Sequence, residues 1–209
     1  MPRLVQNSAL RATADRAPSG DAGPGRPLRA DAQRNRERVL ETAFAAFAAE
    51  GLSVSVHEIA RRAGVGTGTV SRHFPTKEAL FEAVFVSRVE RLVGKARMLT
   101  GAADAGDAFF DFFGAIVAEG AANRGLADAL TGAGFDFKAA TSGSGRDVTG
   151  ALGELLARAQ QASAVRRDVD TADVMALIAG CLAPQPEPGN PAARDHLVSV
   201  IREGLCPAR

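Results

Sequence analysis

Apolar residues in this chain return every three or four positions, and no segment shows the apolar/polar alternation of a half-buried strand. Val39, Leu40, Ala43, Phe44 and Phe47 share one face of a helix that opens near Asp31 and stops at Gly51. Ser55 opens a second helix, with Glu58 three residues on to complete a capping box; Ile59, Ala60 and Ala63 face inward and Gly64 ends it. A third, short helix covers Thr67 to His73, turns Val70 and Phe74 inward, and is closed by Pro75. Thr76 caps a fourth, whose stripe is Leu80, Val84, Val89, Leu92 and Ala96. Further helices follow on Phe109, Phe112, Phe113, Ile116 and Val117, then Leu126 with Leu130. Next come Val148, Leu152, Leu155, Leu156 and Ala159, and then Val174, Leu177, Ile178 and Cys181. The last carries Leu197, Val198 and Ile201 behind an Asn190 cap and Pro191 in its first turn. Loops are expected over 131–146 and 183–190. The pattern predicts an all-α fold.

Two hundred and nine residues suffice for one or two small domains with a sizeable core. Apolar residues make up 46% and charged residues 23%, ordinary values for a folded chain. No apolar run is long enough to cross a bilayer, and the first residues lack the apolar block of a signal peptide. Cys181 and Cys206 are too few and too far apart for a disulfide framework, so a reduced, cytoplasmic protein is expected. Residues 1–95 carry fifteen Lys/Arg against ten Asp/Glu, whereas residues 96–209 carry ten against fourteen. A polyanion would therefore meet the N-terminal half. Residues 1–29 mix Arg, Pro, Gly and Ala without periodicity and are expected to form a disordered arm. Its five arginines either touch DNA or only solvate a leader.

The segment "EIARRAGVGTGTVSRHF" sets Gly64, Gly66 and Gly68 between helical stretches, although glycine disfavours a helix interior by roughly 1 kcal/mol relative to alanine. Two helices of about eight residues joined by "AGVG" make a helix-turn-helix, with Gly64 at the reversal and Val65 pinning the pair. Gly66 falls at the next N-cap, and Gly68 lies in the first turn, where a side chain would hold the backbone away from a neighbour. Thr67, Thr69, Ser71, Arg72 and His73 then offer short donors and one long cation, a mixture suited to phosphates and base edges in a major groove. On spacing alone, a tight helical corner inside a core fits as well.

The fifty residues from Arg36 to Phe85, "RERVLETAFAAFAAEGLSVSVHEIARRAGVGTGTVSRHFPTKEALFEAVF", resemble the N-terminal DNA-binding domain of TetR-family transcriptional regulators. The agreement includes Phe44 and Phe47 before Gly51, "EIARRAGV", "HFPTKEAL" and the spacings between them. The resemblance implies a recognition helix over Thr67 to His73, with Thr67, Gly68, Thr69, Ser71, Arg72, His73 and Lys77 at the DNA. Thr69 and His73 match contact positions, and Lys77 matches a phosphate-binding lysine. Relatives usually carry tyrosine where this chain has Ser71, and often a hydroxyl residue at Gly66, so those contacts are lost or replaced, with Arg72 the candidate substitute.

The same resemblance implies a domain order: an arm over 1–29, a helix-turn-helix DNA-binding domain over 30–76, and a helical ligand-binding and dimerisation domain over 77–209. The later stretch "ALGELLARAQQASAVRRDVDTADVMALIAG" loosely resembles the SbtR-like subset. The expected activity is that of a homodimeric repressor on a palindromic double-stranded operator, released by a small-molecule effector. An activator or architectural DNA-binding protein without a ligand is the other reading. The last two helices, apolar on one face and charged on the other, suit pairing across a two-fold axis or ordinary packing within one subunit. Phe109, Phe110, Phe112, Phe113, Phe135 and Phe137 either line an apolar effector pocket or serve as plain core. His57, His73 and His196 are scattered, no nucleophile–base arrangement or P-loop appears, and Cys181, His196 and Cys206 fit no zinc spacing. No enzyme activity, cofactor, metal or membrane partner is expected.

Overall fold

The computed structural model describes residues 25–132, 134–135, 146–183 and 191–207, and among these it contains helices and turns but no strand. In chain order the helices are α1 (Gly25–Glu50), α2 (Val56–Arg62), α3 (Thr67–His73), α4 (Lys77–Leu99), α5 (Ala105–Ala122) and α6 (Arg124–Gly132). Then come α7 (Val148–Gln161), α8 (Thr171–Leu182) and α9 (Pro191–Leu205). A 3-10 turn, Gly51–Ser53, follows α1, and Gly51 there takes φ +71°, a left-handed value that a side chain would resist.

The first helix departs from expectation at its start, since it begins at Gly25 and takes in residues that read as arm. Pro27 does not prevent this, because in a first turn the backbone amide has no acceptor within the helix and its absence costs nothing. Of the expected arm, residues 1–24 lie outside the described residues, as do Phe137, most of the 131–146 loop, and residues 184–190 with the Asn190 cap.

Two apolar cores share the fourth helix. The first gathers Val39, Leu40, Ala43 and Phe47 of α1, Ile59 and Ala60 of α2, Val70 of α3, and Leu80, Phe81 and Val84 of α4. Leu126 and Leu130 of α6 complete it, reaching back from well beyond residue 76. The second gathers Ala96 with Phe109, Phe112, Phe113 and Ile116 of α5, Leu152, Leu155 and Leu156 of α7, and Val174 and Ile178 of α8. The expected division at residue 76 therefore does not separate the cores, because Leu80, Phe81 and Val84 of α4 and Leu126 and Leu130 of α6 pack with the N-terminal helices. A 23-residue helix is about 35 Å long at 1.5 Å per residue, enough to run from one core into the other.

Candidate nucleic-acid interface

The turn between α2 and α3 is built by the backbone. Ser55 caps α2 by accepting from the Glu58 amide at 3.2 Å. The reciprocal half of the expected capping box is missing, because the Glu58 carboxylate turns instead to Arg61 (2.7 Å twice) and Arg62 (2.6 Å). Arg62 also grips Glu50 at the end of α1, so one guanidinium joins two helices. Hydrogen bonds from Arg61 and then Arg62 hold the Glu58 carboxyl down at about 2. At the other end the Val65 amide donates to the Ala60 carbonyl (3.1 Å) and the Gly64 amide to that of Arg61 (3.2 Å), a Schellman closure. Gly64 takes φ +65°, as that closure requires, and Val65 packs against the first core.

Gly66 then caps α3 in extended conformation, its carbonyl accepting from Thr69 (2.9 Å) and Val70 (3.3 Å). Val70 and Phe74 are buried and fix the roll of this two-turn helix. That roll leaves Thr67, Gly68, Ser71, Arg72 and His73 exposed and Thr69 half-buried. The candidate DNA-contacting residues thus lie on one short outward-facing element, with Lys77 beginning the next helix behind the Thr76 cap, whose side chain accepts from the Ala79 amide at 3.0 Å. The half-buried Lys77 places its ammonium 5.7 Å from the Phe81 ring centre.

Among the described residues, nothing requires Gly68 to be glycine. Its φ is ordinary, and a Cβ there would meet nothing within 4 Å. Two further residues adjoin this surface without having been singled out from the sequence. His57 of α2 meets the Thr67 hydroxyl at 3.2 Å from Nδ1, and the Arg36 guanidinium of α1 lies 5.7 Å above the Phe74 ring. Both approaches join residues ten or more apart, and only the folded corner brings them together.

The candidate ligand residues do not converge. Phe109, Phe112 and Phe113 are fully buried in the second core, and Phe110 nearly so, with Phe109 and Phe110 in edge-to-face contact at 5.0 Å. Phe135 belongs to the first core, edge-on to Phe85 at 5.7 Å. The helical spacing of the phenylalanines marks a buried face, and α7 and α8 fill the space opposite it.

The surface is instead hollowed on the outward side of α5. A cleft of about 860 Å³ lies between α1, α4 and α5, with Phe44, Arg88, Leu92, Lys95, Met98 and Glu119 among its walls. At its inner edge Arg88 makes a bidentate pair with Glu119 (2.6 and 2.7 Å) and stacks 4.0 Å above Phe44. Only 13% of the Arg88 side chain and 16% of that of Glu119 remain exposed. Glu41 of α1 reaches both Arg88 and Arg91, and Asn123 donates to Glu119. A second cleft, about 530 Å³, lies between α5 and α9. Among the described residues no cluster of His, Cys, Asp or Glu is arranged to hold a metal ion, and no helix is long and apolar enough to cross a membrane.

Known proteins repeat this arrangement. Residues 39–84 match the family described as bacterial regulatory proteins, tetR family, and residues 104–207 match the C-terminal domain of SbtR-like transcriptional regulators. The crystal structure of the TetR transcription regulatory protein from Mycobacterium vanbaalenii is 50% identical over 87% of this chain and 100% of that one, with a TM-score of 0.73. A TetR transcriptional regulator from Streptomyces coelicolor is 31% identical over 83% of this chain and 99% of that one, with a TM-score of 0.71. An HTH-type transcriptional regulator of Staphylococcus aureus is 43% identical over 54 residues, a match that spans 29% of that protein and 25% of this chain.

Proposed function

The chain belongs to the TetR family of bacterial regulatory proteins, and from that premise we propose that it is a DNA-binding transcriptional regulator, a homodimeric repressor released by a small-molecule effector. The observation that carries the proposal is the outward face of α3, where five polar residues or glycines stand exposed and Gly68 keeps a Cβ-sized space empty. A helix with a bare first turn brings its backbone close to a sugar-phosphate chain, while Thr69, Arg72 and His73 reach toward phosphates and base edges. Ser71 is too short for the reach a tyrosine has, so Arg72 and Lys77 carry more of the phosphate contact.

Two copies related by a two-fold axis through α8 and α9 would present two such faces, reading half-sites roughly 34 Å apart, or a multiple of that, as an inverted repeat. The effector would occupy a hollow of the C-terminal half and favour a dimer geometry whose spacing no longer matches the operator. The Arg88–Glu119 pair supports such coupling, since it ties the helix that carries the reading head to the body of that half.

Fluorescence anisotropy with the DNA flanking the gene, across a salt series, tests the proposal. Binding to an inverted repeat there that weakens steeply with salt is expected. Deletion of the gene should raise output from a reporter on that promoter. A fall in output would make the protein an activator, and absence of binding at low salt would end the proposal.

A further inference from the structure

The smaller cleft contains a half-buried arginine with no ion pair among the described residues. Arg194, in the first turns of α9, is half-buried, and its Nε is sealed from solvent without a hydrogen-bond partner. No carboxylate among the described residues forms an ion pair with it. A guanidinium nitrogen enclosed without an acceptor is destabilising, because its hydration is lost and nothing replaces it. Arg194 lines a hollow whose other walls are small and apolar apart from Asp195: Gly114, Val117, Ala118 and Ala121 of α5, with Val198 of α9. Gly114 sits within α5 although glycine weakens a helix relative to alanine, and a Cβ there would meet nothing within 4 Å. An unfilled, largely apolar trough thus ends at an arginine that no ion pair among the described residues holds. The neighbouring larger cleft differs in this respect, since its two arginines are already paired with Glu119 and Glu41.

We propose that the α5–α9 cleft binds a small monocarboxylate with a slim apolar body, the carboxylate on Arg194 and the body along Gly114 and Ala118. Arginine presents a planar fork matched to a carboxylate, and the charge-assisted bonds supply the acceptor that the buried nitrogen lacks. The exposed Asp195 at the same mouth adds repulsion with every further negative charge, which favours a monoanion over a dianion. The inference rests on the effector reading only in that this ligand would be the effector; the site itself is argued from the cleft.

Calorimetric titration of the full chain with octanoate and with its uncharged isostere octanamide tests it. Octanoate is expected to bind, and octanamide to bind at least about tenfold more weakly, the scale of one charge-assisted hydrogen bond. Arg194→Met should remove the preference for the anion. Gly114→Leu should block both ligands by filling the trough; a Cβ there meets nothing within 4 Å, and a retained helical circular dichroism spectrum separates blockage from misfolding. The site is refuted if wild-type protein ignores octanoate, if it binds the amide equally, or if Arg194→Met binds octanoate unchanged. It is refuted equally if Arg194→Met shifts the monomer–dimer balance in sedimentation while octanoate has no effect, because the arginine's partner is then another subunit. Operator binding measured on the same preparations keeps the two readings apart. Octanoate that binds without altering DNA affinity would leave the site and remove the effector role. Intact DNA binding without octanoate binding would remove the site and leave the DNA-binding reading standing.

Discussion

At the scale of single residues, Gly68 allows fold and function to be separated. Its backbone is ordinary, and a Cβ there would meet none of the described residues within 4 Å. Gly68→Ala should therefore stabilise the free protein, by about 0.5 kcal/mol given its place in a first turn. If a phosphate backbone approaches that turn, the same methyl should weaken operator binding, and thermal melting with DNA titration would show the two effects with opposite signs. A variant that is more stable and binds DNA as before would remove α3's first turn from the interface. Lys77 is a different case, because its stem packs over Phe81 and its charge is what the DNA would meet. Lys77→Ala should weaken binding to unrelated sequences about equally and flatten the salt dependence by about one unit. A change in which bases are preferred, measured on two operators differing at single positions, would contradict the phosphate role. Both residues could be singled out from the sequence, Gly68 by its place in a first turn and Lys77 by the family resemblance. His57 and Arg36 could not, because their place beside Thr67 and Phe74 is set by how three helices meet.

At the scale of elements, the caps were legible and their side-chain partners were not. Ser55 and Thr76 cap α2 and α4 as read, because a cap involves a hydroxyl and an amide three residues away. Glu58 was expected to reach back to the Ser55 amide, but two arginines on its own helix face outbid that single bond for the carboxylate. Arg62 in turn is drawn to Glu50, twelve residues away, a distance over which sequence spacing says nothing. The consequence is a pH dependence with a definite sign. Glu58 is held at about 2 when folded, against about 4.3 for a free glutamate, so its pairing stabilises the fold above that free value and is lost as pH falls toward 2. Glu58→Gln should be less stable than wild type at pH 7, and its melting temperature should fall less steeply between pH 5 and 2.5. Parallel curves for the two proteins would show that the arginines gain nothing from the charge. The phenylalanines of α5 show the complementary limit: helical period identifies the buried face, whereas a void opposite it depends on the volumes of α7 and α8.

At the scale of the molecule, the question is how two cores act as one regulator. The first core contains the reading helix and the second contains α5, α7 and α8, and α4 belongs to both. A shared helix transmits a rotation only if its middle is fixed to the second unit, and there the polar fixing is the Arg88–Glu119 pair, stacked on Phe44 and tied through Glu41 and Asn123. Burial alone makes such a pair a weak source of net stability, since desolvation of both ions offsets much of their attraction. Its worth lies in geometry, for a bidentate bond holds α4 and α5 in one register, whereas apolar contacts permit sliding. Arg88→Ala would strand the Glu119 charge and open the stacking site, so a loss of about 2 kcal/mol is expected, below the range for fully buried pairs because some solvent remains. Arg88→Met with Glu119→Gln removes both charges while keeping the volume, and should recover most of that stability. The double variant then isolates the register. If the pair is what couples the units, the double variant should melt in two steps or one broadened step, whereas wild type melts in one. Its DNA affinity should also respond less to any ligand of the C-terminal half. A single sharp transition with undiminished ligand response would mean that the apolar seam along α4 is sufficient, and that the pair is only a surface ornament of the joint.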